Sequence, residues 1–483
     1  MLFKQKNRAR ALGPVRTHNY VGKKGVLGRN GTGRSAYVPV PLEWRATTTQ
    51  ICGLYPFSAP GKLPMAGGPI GRHIESGATV CFDHIGWFLA RLIANPSLTI
   101  IAMPGLGKST LAKKIALNLA AQGYVVDIPG DTKGEYLELT RALGGKPRKA
   151  SRYGGSALNP CDPGGMAAAA KEIGGEAGAA LLAEAIGRAV VCVSTLVELG
   201  RKDGVADYEE TAVGAALLIL YAQDGPEPLL ADVLELLGER PASIRKALFD
   251  GGSDEKYDEL INPLRRSLAT LLGGKYGDVF SRRVDRPTGR PMASCLDTSS
   301  IKSGDAQFLA AVLIAGWSDT YGRVEADQAR AAAGLIPKPR YCLVLDELWR
   351  VLQLGGTMTS RVDELTRLNR TEGIGQIMIT HSTADASGTL LERTGATMIG
   401  GVPRKELERL EGHYRFTERE RSSITGWWSE SVTALAAGEV PPGAGKFLLK
   451  AGSDNPGIPV DVRLTSVEAG WGGQDTNQAW EMG

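Results

Sequence analysis

A chain of 483 residues, 43% hydrophobic and 22% charged, has the balance of a globular protein and room for roughly two to four structural units. Its formal net charge of only +4 excludes wholesale binding of polyanions by the molecule as a body. Six cysteines stand singly, at Cys52, Cys81, Cys161, Cys192, Cys295 and Cys342. That spacing excludes a zinc ribbon and a disulfide framework and fits a reducing cytoplasm.

The charge is uneven along the chain. Residues 1–45 carry Lys4, Lys6, Arg8, Arg10, Arg16, Lys23, Lys24, Arg29 and Arg34 before the first acid, Glu43. Closely spaced glycines make this a basic, flexible arm, suited to anionic lipid, nucleic acid or an acidic partner, or else a solvated tail. No apolar stretch follows its charges, so no secretory leader is expected. Gly28 to Ser35 has the spacing of a phosphate loop with arginine for lysine, but no apolar strand precedes it.

Residues 46–96 lead to an apolar run at 97–103. Residues 102–110 then read Ala-Met-Pro-Gly-Leu-Gly-Lys-Ser-Thr, and a helical pattern follows at 111–121. A strand that enters a glycine-rich turn and leaves as a helix holds nucleotide phosphates. Backbone N–H groups of the turn and the helix N-terminus face the anion, and a lysine adds full charge. Pro104, Gly105, Leu106, Gly107, Lys108, Ser109 and Thr110 are the candidate phosphate-binding residues, with Ser109 also placed for Mg²⁺. Ala102 stands where the pattern begins with glycine.

A strand at 124–128 continues the alternation of a parallel α/β sheet. From 164 to 275 the pattern turns helical, with periodic segments at 166–199, 208–223, 229–237, 242–249 and 257–272. Strand character returns at 295–297, then a helix at 306–321 and a strand at 341–345. That strand ends in Asp346-Glu347. An apolar strand carries the first acid to the sheet edge, where it can join the Mg²⁺ shell. The second acid can orient and deprotonate water, which separates a hydrolase from a nucleotide switch.

A helix follows, then a strand at 376–380. Thr380 and His381 end that strand and suit a sensor of the γ-phosphate or the attacking water. Arg367 and Arg370 are candidates to reach a neighbouring subunit's nucleotide, Arg370 the better of the two. Pro442 to Lys446 lacks the hydroxyl that would bind Mg²⁺ and reads as a hairpin turn before a strand at 447–449. The most apolar segments (179–199, 211–222 and 308–317) are interrupted by charge or fall short of the ~20 residues of a spanning helix. No transmembrane segment is therefore expected.

The order of motifs resembles the ATPase domain of the TraC-like conjugation and type IV secretion ATPases. Gly53-Leu54-Tyr55-Pro56-Phe57, Gly68-Pro69-Ile70-Gly71 and Val80-Cys81-Phe82-Asp83 precede the phosphate loop. Asp131-Thr132-Lys133-Gly134-Glu135-Tyr136, Leu158-Asn159-Pro160-Cys161-Asp162 and Gly274 to Phe280 follow it, then Leu296-Asp297-Thr298-Ser299 and Leu345-Asp346-Glu347-Leu348-Trp349. The resemblance spans residues 50–465.

It implies an α/β, RecA-like P-loop NTPase sheet with an all-helical insertion subdomain. The parts are a basic arm (1–45), an ATPase core in two parts (46–163 and 276–466), the helical insertion (164–275) and a polar tail (467–483). It further implies a hexamer at the cytoplasmic face of a secretion channel, peripheral to the inner face of the membrane, with ATP and Mg²⁺ as cofactors. Lys108 and Ser109 would hold ATP and Mg²⁺, Asp346 the metal and Glu347 the water, with Asp131 and Glu135 lining the same site. The chain departs from the family in three ways. Only about 50 residues precede the shared region where a large N-terminal domain is usual, His381 replaces the usual sensor glutamine, and Ala102 replaces the first glycine. A DNA-pumping motor, like the coupling proteins or the FtsK and HerA translocases, and a nucleotide-gated scaffold without turnover are the competing readings.

Overall fold

The computed structural model describes residues 63–201, 204–223, 225–286, 289–302, 304–346, 373–381, 391, 394–436, 441–466 and 468. Among the described residues eleven strands form one sheet, in the order β2-β1-β11-β10-β9-β3-β8-β7-β4-β6-β5. Its parallel half holds β9 (Ala396–Ile399), β3 (Ser97–Ile101), β8 (Ile374–Thr380), β7 (Tyr341–Leu345), β4 (Val125–Asp131), β6 (Ala293–Asp297) and β5 (Arg148–Lys149). Its antiparallel half adds β10 (Lys446–Lys450), β11 (Ile458–Val462), β1 (Pro69–His73) and β2 (Thr79–Cys81) to the β9 edge.

The central strands are apolar on both sides because both faces are covered. Along β7, Tyr341, Leu343 and Leu345 enter one core while Cys342 and Val344 enter the other. The second core is closed by α1 (His84–Leu89), α2 (Lys108–Ala121) and α3 (Leu137–Ala142). In the helical segment, α4 (Met166–Ile173) packs in a separate small cluster with Leu181, Ala185 and Ala326, while the first core belongs to α5 (Gly175–Gly200), α6 (Asp207–Ala222), α7 (Leu230–Gly238), α8 (Ala242–Leu248) and α9 (Asp254–Leu271). It reaches the sheet through α10 (Ala306–Ala332), so Val193, Leu196 and Leu268 share one continuous core with Trp317, Leu343 and Leu345. A third core lies under α11 (Arg404–Leu410) and α12 (Glu418–Ala436).

Three elements differ from the sequence reading for identifiable reasons. The helix expected over 166–199 is two helices, because Gly174 (φ 66°, ψ −178°) breaks it between α4 and α5. The helix expected to stop at 321 runs on to Ala332 through Gly322. A Cβ there would lie 2.5 Å from the Pro163 carbonyl oxygen, so the glycine marks close packing and not a terminus. The strand read as 124–128 continues to Asp131 through Pro129-Gly130, where a Cβ on Gly130 would sit 2.1 Å from Leu313 of α10.

The apolar segment at 179–199 lies within α5, whose 26 residues make it the one described helix that meets the length and composition of a membrane span. Its packing is that of a core helix. Ala185, Ala189, Cys192, Val193 and Leu196 are fully buried, and Arg188 pairs with Glu325 of α10. All five described cysteines are free and buried.

Buried charges tie α10 to the sheet's far edge. Asp319 accepts from Arg286 (2.9 Å), Arg148 (3.0 Å) and the Gly164 N–H (3.2 Å), and Arg323 pairs with Asp127 (2.7 Å). Burial works against the Asp319 charge, but Arg286, Arg148 and Arg323 outweigh it and hold the carboxyl below its ordinary range.

At the opposite edge of the strands His84, at the start of α1, is fully buried, and neither ring nitrogen has a hydrogen-bond partner among the described residues. Burial lowers its pKa to about 4, with Asp83 pulling weakly the other way. The unfolded chain, with a pKa near ~6.5, takes up the proton first as pH falls. The neutral histidine's contribution is therefore complete above pH ~6.5 and is lost progressively toward pH 4, to the extent of roughly 3 kcal/mol. Denaturant unfolding at pH 7 and pH 4.5 should show this loss in the parent and a smaller one in His84→Gln. An equal loss in both would assign it to other groups.

Candidate nucleotide site

The apolar strand β3 delivers the chain to the carboxyl edge of the sheet, and residues 102–107 turn it into α2. Gly105 (φ 78°) and Gly107 (φ 89°) adopt the left-handed backbone that the turn requires. The N-terminus of α2 has no capping side chain and no acidic residue in its first turn. Its N–H groups and partial positive charge therefore point out of the helix toward the turn. Lys108, 5% exposed, donates from Nζ to the carbonyl oxygens of Ala102 (2.8 Å) and Met103 (3.0 Å). The loop is pinned from both flanks: Met103 N–H donates to Gly401 (3.1 Å), and Gly445 N–H donates to Leu106 (3.1 Å).

The second of these bonds comes from the 442–446 segment. It is the expected turn before β10, and it also braces the phosphate loop. Its own backing is Ser431 of α12, whose hydroxyl accepts from Gly443 N–H (3.0 Å) and donates to the Trp427 carbonyl (2.6 Å).

The alanine at the start of the loop has a structural counterpart. A Cβ built on Gly400, just beyond β9, would lie 2.7 Å from the Ala102 methyl and 3.1 Å from the Phe447 ring. The room that the usual glycine would leave on β3 is thus provided by a glycine on the neighbouring strand. Gly400→Ala should displace the loop, cost about 1–3 kcal/mol as an overpacked core does, and weaken nucleotide binding. Adding Ala102→Gly should recover part of both losses, by thermal melting and nucleotide titration. No recovery in the double variant would dissociate the two positions.

Within the parallel half, β8 lies between β3 and β7. Ile101 pairs with Thr380 and Leu345 with Met378. The strand order β3-β8-β7-β4 therefore sets the phosphate loop, Thr380-His381, Asp346 and the 131–136 turn side by side along one edge. Asp346 is 6% exposed, and Tyr136 lies between it and the loop. The Tyr136 hydroxyl donates to Asp346 Oδ2 (3.3 Å). Burial raises the Tyr136 pKa well above its ordinary value, and Asp346, Glu135 and Asp131 add to the rise. The nearby Ser109 side chain works against it but is outweighed, so the hydroxyl stays protonated.

Lys113, one turn further along α2, faces the same acids and donates to the Glu135 carbonyl (3.3 Å). Burial lowers its pKa, while Glu135, Asp131 and Asp346 favour its charged form. His381 Nε2 lies 3.4 Å from Lys133 Nζ.

Of the two acids that the resemblance sets in the site after β4, Asp131 faces Lys113 and also holds its own turn. Its carboxylate accepts from the N–H groups of Lys133 (3.3 Å), Glu135 (3.1 Å) and Tyr136 (2.8 Å), and so shapes the turn. Glu135 stands beside Lys113 and the acidic edge, with Oε2 buried and without a hydrogen-bond partner among the described residues. Glu347, Arg367 and Arg370 lie outside the described residues. Sequence reasoning missed Tyr136 and Lys113 as site residues; the Gly134-Glu135-Tyr136 run was the available signal for the first.

The donor set fits a nucleotide with Mg²⁺. Uncapped helix N–H groups and a buried lysine match phosphate. Among the described residues no group of three or more His, Cys, Asp or Glu side chains forms a cage. One hydroxyl and one carboxylate suit the way Mg²⁺ is held when phosphates and water complete its shell.

No protein-family model and no curated protein matches this sequence. Among solved structures the chain is similar to VirB4 of Thermoanaerobacter pseudethanolicus, with TM-score 0.60 and 19% identity over 84% of this chain and 99% of that one. The plasmid coupling protein TrwB, bound to the non-hydrolysable ATP analogue ADPNP, superposes more loosely, with TM-score 0.48 and 13% identity over 77% of this chain and 86% of that one. The first likeness shows the fold: an α/β sheet of the P-loop NTPase kind, shared with VirB4 across nearly the whole of that chain.

Proposed function

We propose that this protein is an ATPase that energises the assembly of, or substrate passage through, a conjugative or type IV secretion channel. The observation that carries the reading is the meeting of Lys108, Ser109 and Asp346, from positions far apart in sequence, at one carboxyl edge with Tyr136 between them. The motif order and the fold shared with VirB4 support the secretion role.

In this reading residues 104–110 hold the phosphates through backbone N–H groups, and Lys108 offsets their charge. Ser109 and Asp346 hold Mg²⁺, which when bound polarises the phosphoryl oxygens and neutralises developing charge. Glu347 takes the proton from water. His381, at the end of the strand between the loop and Asp346, reports on the γ-phosphate side. Arg370 serves a neighbouring subunit's site in a hexamer. The helical segment at 164–275 is the part that moves with nucleotide state.

The test is steady-state ATP hydrolysis with and without DNA and with membrane fractions holding channel components, together with mass in solution with and without nucleotide. Nucleotide-dependent oligomers whose turnover responds to the fractions and not to DNA support the reading. Strong stimulation by DNA that fades with salt supports a DNA motor instead. Absence of turnover in every oligomeric state supports a scaffold.

A further inference from the structure

The 131–136 turn is built around a residue to which no role has been given. Asp131 organises the turn by accepting three backbone N–H groups, the last of them from Tyr136 itself, and Gly134 (φ 72°) supplies the left-handed step. The Tyr136 ring is wholly buried in the core under α2, beside Leu139 and Ile128. The hydroxyl projects from that core to Asp346 Oδ2, at 3.3 Å, at the edge where Ser109 begins α2. The ring cannot move without repacking the core, so the hydroxyl is a fixed group against Asp346, a residue far along the sequence from the phosphate loop.

We propose that Tyr136 is a positioning residue for the divalent cation that accompanies the nucleotide: it sets the Ser109 hydroxyl and the Asp346 carboxylate at the separation and orientation that the ion requires. This rests on the nucleotide reading given above. The hydroxyl holds Asp346 Oδ2 by its hydrogen bond and so fixes the carboxylate relative to the Ser109 hydroxyl at the start of α2. Groups that orient metal ligands in this way change metal affinity by roughly 10–100-fold when removed. A tyrosine that merely satisfies its own buried hydroxyl would influence stability and nothing else.

The test measures affinity, not turnover. A fluorescent ADP is titrated into the full chain with excess Mg²⁺ and with EDTA, for the parent and for Tyr136→Phe, which keeps the ring. The expected result is a Mg²⁺-dependent gain in affinity that falls about tenfold in the variant, with affinity in EDTA unchanged. A gain retained in full by a folded Y136F overturns the proposal while leaving the nucleotide site intact. A parent that binds no nucleotide under either condition overturns the nucleotide reading, and this inference with it. Should Y136F not fold, the parent carrying 3-fluorotyrosine at position 136 answers the question. Its fluorine resonance should shift when Mg²⁺ is added to the nucleotide-bound protein, and an unmoved resonance overturns the proposal.

Discussion

Lys108→Ala should abolish nucleotide binding at micromolar concentrations and lower ATP hydrolysis by about 10³-fold, the order expected when a preorganised charge at a developing anion is removed. The amine is the formal positive charge within the phosphate turn itself, and burial makes it act in a low-dielectric setting. The variant should still fold, for a local reason. In the parent the amine donates to two loop carbonyls, Ala102 and Met103, and its loss leaves those acceptors unmatched. That costs on the order of 1–3 kcal/mol and shows as a lower melting temperature. Two effects are thus expected together, a modest loss of stability and a large loss of binding. If the lysine were only a staple for the turn, the first would appear without the second. Melting in parallel with nucleotide titration separates the two cases.

Glu347→Gln should leave ATP bound and hydrolysis nearly stopped, with kcat reduced by roughly 10²–10⁴-fold as for loss of a general base. The argument is positional. β7 ends at Leu345 and carries Asp346, the residue after it, to the same edge as the phosphate loop, and Glu347 follows in sequence. Glutamine keeps the shape and hydrogen bonding of the side chain but cannot accept the proton. Nucleotide affinity should therefore match the parent, and nucleotide-dependent assembly should persist. Unchanged turnover in the variant would remove Glu347 from the chemistry and pass the role to another acid on this edge, Glu135 being the nearest described candidate.

What could be read in the sequence follows from which forces are local. The phosphate loop and the β7 strand were legible because each joins an apolar run to a sharp chemical change, glycines with lysine in one case and paired acids in the other. The helices of the 164–275 segment were legible from their 3.6-residue period. Of the antiparallel half only β10 was legible, at 447–449. β1 reads Pro-Ile-Gly-Arg-His and β11 reads Ile-Pro-Val-Asp-Val, short segments whose strand character comes from pairing with each other and not from alternation.

The site was half legible for a similar reason. The resemblance set Asp131 among the site acids; its oxygens accept three N–H groups of its own turn, while its charge acts on Lys113 and Tyr136. Conversely, Tyr136 and Lys113 enter the site only because β4 and α2 lie against β7, which no spacing along the chain discloses. The departure at Ala102 likewise became intelligible only once Gly400 was seen beside it.

The account stands on one triphosphate shared by residues from distant parts of the chain. The most direct measurement is a crystal structure with a non-hydrolysable ATP analogue and Mg²⁺. The account predicts phosphates cradled by residues 104–110, the Lys108 amine drawn from the Ala102 and Met103 carbonyls onto phosphate oxygen, and the ion between Ser109 and Asp346. A nucleotide bound elsewhere, or Lys108 still on those two carbonyls with the triphosphate in place, would contradict it.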